Sequence, residues 1–336
     1  MNYIVKNENA IYYECGYSCD NALFIKLGSQ GYFITDGRYF QEAKDLLEPE
    51  VAVIQSGNLI QSARQLLRQN RIRSLVYDPK QWELESFKNL KRYSISYKPK
   101  VDFSWKKRAI KSDEEIALIK QAVTLGDRAF DRFADEVKTG ACEYELNFLA
   151  KKCLSDVGRY DLSFTPIVAI NANASKPHAT PTSTQLQMGD LLLMDAGLKY
   201  KRYCSDKTRT AYFHHGVSFE YAQSFHSQKI QKAYNTVLKA HDVAIEKARV
   251  GMKASQIDAL ARDVIEKAGF GKYFVHSTGH GVGLDIHEMP FISTRSQMVI
   301  EPNMVYTVEP GIYIPGEFGI RIEDMVVMGQ QRAQVL

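Results

Sequence analysis

Between residues 305 and 328 apolar side chains alternate with others at the period of two that marks a β-strand, with one interruption at Pro315-Gly316-Glu317. The pattern predicts two antiparallel strands, 305–314 and 319–328, folded about a turn at Gly316. That folding sets Glu309 opposite Glu323 and puts Arg321 on the face of Glu323. Directly opposed carboxylates, with Cβ atoms about 4.5–5.5 Å apart, destabilise a ladder unless a cation sits between them. Charges on a solvated hairpin surface would avoid the difficulty, so the rest of the chain has to decide between the two.

Residues 191–213 have the same construction. A turn centred between Tyr200 and Lys201 sets Asp195 opposite Asp206, and Asp195 closes the apolar run Leu191-Leu192-Leu193-Met194, which has the pattern of a buried strand. The first acidic members of the two hairpins are 114 residues apart and the second members 117 apart, which predicts an internal duplication. The segments ahead of each hairpin agree. Ser112 and Glu115 form an S-x-x-E capping box before the helical stripe Ile116, Ile119, Val123, Phe130 and Phe133, which stops at Gly140. A second helix is expected over 143–157. In the other half, helices are expected over 230–250 and 255–268, each followed by a glycine. Each half therefore has the order helix, helix, hairpin.

Carboxylates converging from two hairpins call for a divalent cation, for which oxygen ligands suit hard ions and imidazole suits transition metals. The stretch HSTGHGVGLDIHEMP (276–290) supplies His276, His280 and His287. Its glycines argue against a helical H-E-x-x-H zinc motif, and their G-x-G-x-G spacing does not fit a nucleotide-binding loop. A single histidine would usually be a packing or surface residue. Three among glycines that permit close backbone approach indicate a site.

These residues resemble the pita-bread metallopeptidases, the superfamily of methionine aminopeptidase, aminopeptidase P, prolidase and the metal-free creatinase. Asp195 in MDAG, Asp206 in CSDKTRT, His280 in HGVGLDIHE, Glu309 in VEPGIY and Glu323 in RIED match that family's five metal ligands. The resemblance runs from about Trp105 to the last residue and implies an α+β fold with internal pseudo-two-fold symmetry. It also implies two divalent ions, with manganese expected first and cobalt or zinc as alternatives. Asp206 and Glu323 would bridge them, Asp195 would complete one shell, and His280 with Glu309 the other. A water activated between the ions would attack the peptide carbonyl, with Glu309 relaying a proton. His178, in NASKPHATP, and His287 match the family's histidines that bind the substrate amide and the oxyanion, and Arg321 would orient Glu323.

The stretch ITDGRYFQEA (34–43) resembles the N-terminal domain of aminopeptidase P, prolidase and creatinase, and YYECGYSCDNALFIK (12–26) looks like the strand pair before it. A small α/β creatinase-like domain is therefore expected over 1–105, followed by the pita-bread domain over 106–336. Methionine aminopeptidases usually lack such a domain, creatinase lacks the metal ligands, and non-catalytic relatives that bind other proteins have lost ligands. The resemblance thus implies an Xaa-Pro peptidase of the aminopeptidase P type, with an Xaa-Pro dipeptidase (prolidase) as the alternative. His276 would line the proline pocket. Substrates would be small peptides with proline second, and a homodimer is expected.

Composition changes this picture little. The 336 residues are 45% hydrophobic and 24% charged, enough to bury two cores. A net charge of +4, spread along the chain, gives no case for nucleic acid. The runs Lys106-Lys107-Arg108 and Lys199-Tyr200-Lys201-Arg202 are expected to be a linker and a solvated turn. Five cysteines, an odd number, with no apolar leader and no membrane-length run, make a cytoplasmic location the expectation. Cys15 and Cys19 would be half of a structural zinc site only if a second pair existed.

Overall fold

The computed structural model describes residues 1–91, 94–214 and 216–336, and the chain divides into two compact units, Met1–Arg108 and Ala109–Leu336. In the first unit, β1 (Tyr3–Val5), β2 (Ala22–Leu27), β3 (Gln30–Thr35), β4 (Val51–Gln55), β5 (Ser74–Tyr77) and β6 (Ser96–Pro99) form one mixed sheet in the order β4-β3-β2-β1-β5-β6. Its central strands β2 and β3 are apolar on both faces because both faces are covered. Leu23, Ile25 and Ile34 pack on one side with Ala63, Leu66 and Leu67 of α3 (Leu59–Gln69) and Leu90 of α4 (Leu84–Leu90). Phe24 and Phe33 pack on the other with Ile11 of α1 (Glu8–Cys15), Ala43 of α2 (Phe40–Leu46) and Phe103 of α5 (Phe103–Arg108).

Two expectations fail in this unit. Tyr12 to Cys15 end a helix instead of starting a strand pair: the Asn7 side chain caps α1 by accepting from the Ala10 N–H, and Gly16 ends it at a φ of 79°. Lys106-Lys107-Arg108 is no linker but the last turn of α5, where Lys107 pairs with Glu14 and Arg108 is fully buried.

The second unit follows the predicted order. The capping box of Ser112 and Glu115 starts α6 (Asp113–Glu136), and α7 (Glu143–Ser155) comes next. Their apolar faces, with Phe130, Phe133, Leu146 and Leu154, cover Val168 and Ile170 of β8 (Ile167–Ile170) and Leu192 and Met194 of β9 (Leu191–Ala196). The opposite face of β9, with Leu191 and Leu193, joins the larger core beneath α8 (Gln228–Lys247) and α9 (Ala254–Lys267). Asp195 continues that second face by strand alternation.

The first hairpin differs from its predicted register. Tyr200 pairs with Tyr203 and Lys199 with Cys204, so the turn is Lys201-Arg202, whose φ values of 45° and 72° are those of a two-residue I′ turn. The ladder continues from β9 to β12 (Lys207–Tyr212) and sets Asp195 opposite Thr208, not Asp206. A shift of two keeps every side chain on its face, so Asp206 becomes a diagonal neighbour.

The second hairpin has the predicted register but is interrupted. The strands Val305–Val308 and Asp324–Met328 pair Val308 with Asp324, and Gly311–Ile314 and Phe318–Arg321 pair Gly311 with Arg321. Both ladders extrapolate to Glu309 opposite Glu323, where pairing between the two strands stops. The Glu309 N–H instead donates to the Thr278 carbonyl at 2.8 Å, and the Glu323 N–H to the Thr208 carbonyl at 3.1 Å. The acidic pair is thereby tied to neighbouring strands, and the bridge between Thr208 and Glu323 joins the two hairpins. Among the described residues no helix is long and apolar enough to cross a membrane.

Close backbone packing at these hairpins is testable at Gly319, where a Cβ would lie 1.8 Å from the Ala174 carbonyl oxygen. Gly319→Ala is expected to cost roughly 1–3 kcal/mol or more of stability, as overpacking does. Gly316→Asn, at a φ of 73° with nothing within 4 Å, should cost less than about 1 kcal/mol, because Asn tolerates the left-handed region. Thermal melts of the two variants measure the contrast.

Candidate metal centre

Asp206 stands immediately before β12 and Glu323 just after Arg321, so the bridge between the two hairpins brings them together. His280 arrives from the short strand Gly279–Gly281, which packs so closely that a Cβ on Gly279 would lie 1.9 Å from the Thr307 carbonyl oxygen. A Cβ on Gly281 would lie 2.2 Å from the Met289 carbonyl oxygen, so both residues flanking His280 are held to glycine. Ligand atoms of Asp206, His280 and Glu323, all buried, lie within 4.8 Å of one another. His280 Nε2 is 3.6 Å from Asp206 Oδ2 and 3.3 Å from Glu309 Oε1.

The protein alone leaves this cluster unsatisfied. Among the described residues, the buried Oδ1 atoms of Asp195 and Asp206 have no hydrogen-bond partner. His280 Nδ1 lies 3.2 Å from the Gly281 carbonyl, which can only accept, so Nδ1 carries the proton and the Nε2 lone pair faces carboxylate oxygens. Burial and the neighbouring His287 push the His280 imidazolium down to about 3, so protonation does not relieve the contact near neutral pH. Burial, then Glu323, Asp195 and Glu309, raise Asp206 well above the usual carboxylate range, and burial followed by Glu309 and Asp195 does the same to Glu323. Glu309 is lifted to about 8 by burial and Asp195, against the pull of Arg321. Orphaned oxygens, a lone pair and crowded negative charge are a donor set suited to divalent cations.

Arg321 is placed differently from expectation. Its Nη2 meets Asp195 Oδ2 at 2.5 Å, and its Nε donates to the Thr208 hydroxyl at 3.0 Å, which in turn donates to Glu323 Oε2 at 2.6 Å. The guanidinium thus orients Asp195 directly and Glu323 only through Thr208, because the register shift sets Thr208 opposite Asp195. Arg321 Nη1 also donates to the Tyr313 hydroxyl at 2.7 Å. His276 Nδ1 donates to the Ser277 carbonyl at 2.7 Å, so Nε2 accepts from that same hydroxyl at 2.8 Å. Burial and Arg321 hold His276 neutral, down to about 4.

The other two histidines are exposed. The ring of His287 stands edge-on to His280, with centroids 4.2 Å apart. His178 lies in the 171–182 loop, near enough to His276 and His287 to depress both electrostatically. Thr208 and Tyr313 are the participants that the sequence pattern left unnamed. Alternation alone carried a signal for each, since Tyr313 shares a face with Glu309, and Thr208 shares one with Asp206.

Comparison with known proteins gives this geometry a context. Residues 117–330 match the model of metallopeptidase family M24. An uncharacterized peptidase of Bacillus subtilis, YqhT, is 34% identical over 331 residues, covering 97% of this chain and 90% of its own. The fold matches an Xaa-Pro dipeptidase from Bacillus anthracis at a TM-score of 0.91 and 31% identity, over 99% of this chain and 92% of that one. It matches an X-Pro aminopeptidase from Thermotoga maritima at 0.89 and 29% identity, over 99% and 94%. The α+β architecture with a leading α/β unit is therefore that of the pita-bread enzymes, and the chain belongs to metallopeptidase family M24.

Proposed function

We propose that this chain is an Xaa-Pro peptidase, hydrolysing the bond between an N-terminal residue and a following proline. The observation that carries the reading is the buried set of orphaned carboxylate oxygens beside the His280 lone pair, in a chain whose fold is shared with Xaa-Pro peptidases. Asp195, Asp206, His280, Glu309 and Glu323 would together hold two divalent ions. Ions held there supply Lewis-acid polarisation of the carbonyl and lower the pKa of water.

The chain's own groups do the rest. The Glu309 carboxylate takes up a proton from the attacking water and returns it to the leaving proline nitrogen. His178 and His287 donate hydrogen bonds to the substrate amide and the developing oxyanion. Arg321 keeps Asp195 in place, and His276, fixed by Tyr313, lines the proline pocket. A bond to proline offers no N–H, so selection rests on the shape of the ring site and on a free α-amine nearby. A dipeptide substrate has support at least equal to that for longer peptides, since the matched structures carry both names.

A substrate panel tests the activity. Ala-Pro and Ala-Pro-Yaa-Zaa, offered with Mn, Co or Zn in turn, are expected to be cut at the bond before proline, and acetylating the α-amine should abolish cleavage. Release of Met from Met-Ala-Ser with every proline peptide left intact would overturn the reading. The ratio of kcat/KM for the two proline peptides separates dipeptidase from aminopeptidase.

His178→Ala and His287→Ala are expected to retain bound metal while kcat falls by roughly 10²–10³, the loss typical of an oxyanion donor. Metal analysis of the purified variants is the check, because loss of metal would make these histidines ligands.

Metal removal has a pH signature. In the metal-free fold Glu309 keeps its proton up to about pH 8, whereas in the unfolded chain it ionises near 4.5, and Asp206 and Glu323 shift in the same direction. The unfolded state therefore binds fewer protons in that window, so this cluster's contribution to stability falls as pH rises from about 4.5 to 8. Added Mn should raise the Tm of chelator-treated protein more at pH 8 than at pH 5, because binding displaces those protons. Asp206→Ala should lose most of that gain along with its activity. Replacing Glu317, an exposed turn residue paired with Lys229, should leave both unchanged.

A further inference from the structure

The loop over 171–182 carries His178, and its position depends on a residue far from it in sequence. Glu143, the first residue of α7, is completely buried. Its Oε1 accepts from the Ile170 N–H at 2.7 Å, where the loop leaves β8. Its Oε2 accepts from the Thr182 N–H and the Thr182 hydroxyl, both at 2.7 Å, where the loop ends, and from Asn173 Nδ2 at 2.8 Å within it. The Asn173 amide also donates to the Thr180 carbonyl at 2.9 Å. One carboxylate thus joins both ends of the loop and a point inside it.

A buried carboxylate is costly unless donors satisfy it, and here four donors from the loop and its boundaries do so. Helix α7 has no use for this side chain as a cap, since Glu145 fills the capping position with the Cys142 N–H. The charge is also favoured at a helix N-terminus. Farther along, Arg321 Nη1 reaches the Pro177 carbonyl at 3.4 Å, so the residue before His178 is tied to the guanidinium that holds Asp195. His178 is held between the Glu143 clamp and the metal-site arginine.

We propose that Glu143 is a positioning residue for catalysis: by clamping the 171–182 loop at Ile170, Asn173 and Thr182 it sets the His178 imidazole against the substrate. The inference rests on the role given to His178 above. Glu143 touches neither substrate nor metal and acts through the loop. A Gln at this position would turn an NH2 group toward a donor and release part of the clamp.

The test is a double-mutant cycle on the Mn-loaded enzyme with Ala-Pro and Ala-Pro-Yaa-Zaa, reading kcat, KM, bound metal and Tm for Glu143→Gln, His178→Ala and the pair. Glu143→Gln is expected to lower kcat by about tenfold or more, with KM changed less than about threefold and metal content unchanged. In the His178→Ala background the same change should cost less than about twofold in kcat, because the group it positions is already gone. Thr182→Val, which removes one of the four donors to Glu143 together with the hydroxyl's bonds to Thr184, should give a smaller loss of kcat with the same dependence on His178, and it serves where Glu143→Gln folds poorly. Full kcat in both clamp variants, or an equal fold-loss with and without His178, would overturn the proposal and leave Glu143 a stability residue. Full kcat in His178→Ala would instead overturn the role of His178 itself.

Discussion

Like-charge repulsion among buried carboxylates is the constraint around which the second unit is built. Two unit charges about 4 Å apart repel by about 4 kcal/mol at an effective dielectric constant near 20, and ligand oxygens of Asp206 and Glu323 lie within 4.8 Å of each other, with Asp195 and Glu309 close enough to act on both. A chain without a bound cation can only protonate them, which is the direction in which Asp206, Glu309 and Glu323 are all displaced. What prevents the carboxylates from separating is their backbone. Glu309 is bonded to Thr278 and Glu323 to Thr208, and Arg209 Nη1 holds the Glu323 and Thr208 carbonyls from behind at 2.6 and 3.0 Å. Arg209 is anchored in turn on Asp324 at 2.7 Å, which Tyr221 and His241 also contact. The charges are thus gathered by a frame of backbone and buried ionic hydrogen bonds that the chain builds from its own residues.

That frame explains why charged residues occur in a strand pattern, and why the pattern was legible. A side chain's face follows from parity alone, so Glu309, Glu323, Asp195 and Asp206 could be placed on their faces without coordinates. Helix starts were equally visible where a capping box announced them, as at Ser112. Register was less secure, because it is set by turn geometry. At Pro315-Gly316-Glu317 the glycine marks the turn. At Lys201-Arg202 two long basic residues adopt positive φ, and no local signal distinguishes them from the Tyr200-Lys201 centre. The resulting error of two residues preserved the faces but exchanged Thr208 for Asp206 opposite Asp195, and with it the partner of Arg321.

Other misreadings share a different cause: tertiary contacts assign roles that local composition cannot show. The basic run 106–108 has the composition of a linker, yet Arg108 is buried and Lys107 finds Glu14, some ninety residues earlier in the chain. Tyr12 to Cys15 lack a strong helical stripe, and the helix there depends on the Asn7 cap and on burial of Ala10 and Ile11 against the sheet. Glu143 is the extreme case. In the sequence it is an ordinary acidic residue at a helix start, and only the fold shows its carboxylate turned away from the helix and onto a loop.

Tautomers add a level that neither pattern nor family resemblance reaches. His276 and His280 both present Nδ1 to a backbone carbonyl, at 2.7 and 3.2 Å, and each therefore has one free lone pair at Nε2. The two lone pairs meet opposite surroundings. That of His276 receives the Tyr313 hydroxyl, whose oxygen is already a hydrogen-bond acceptor for Arg321, so the ring ends a chain of donors running back to the guanidinium that also donates to Asp195. That of His280 faces the carboxylates of Glu309 at 3.3 Å and Asp206 at 3.6 Å. Two histidines four residues apart, both kept neutral by burial, thus meet different groups at Nε2: a hydroxyl donates to one, and carboxylates crowd the other, as a site for a cation would require.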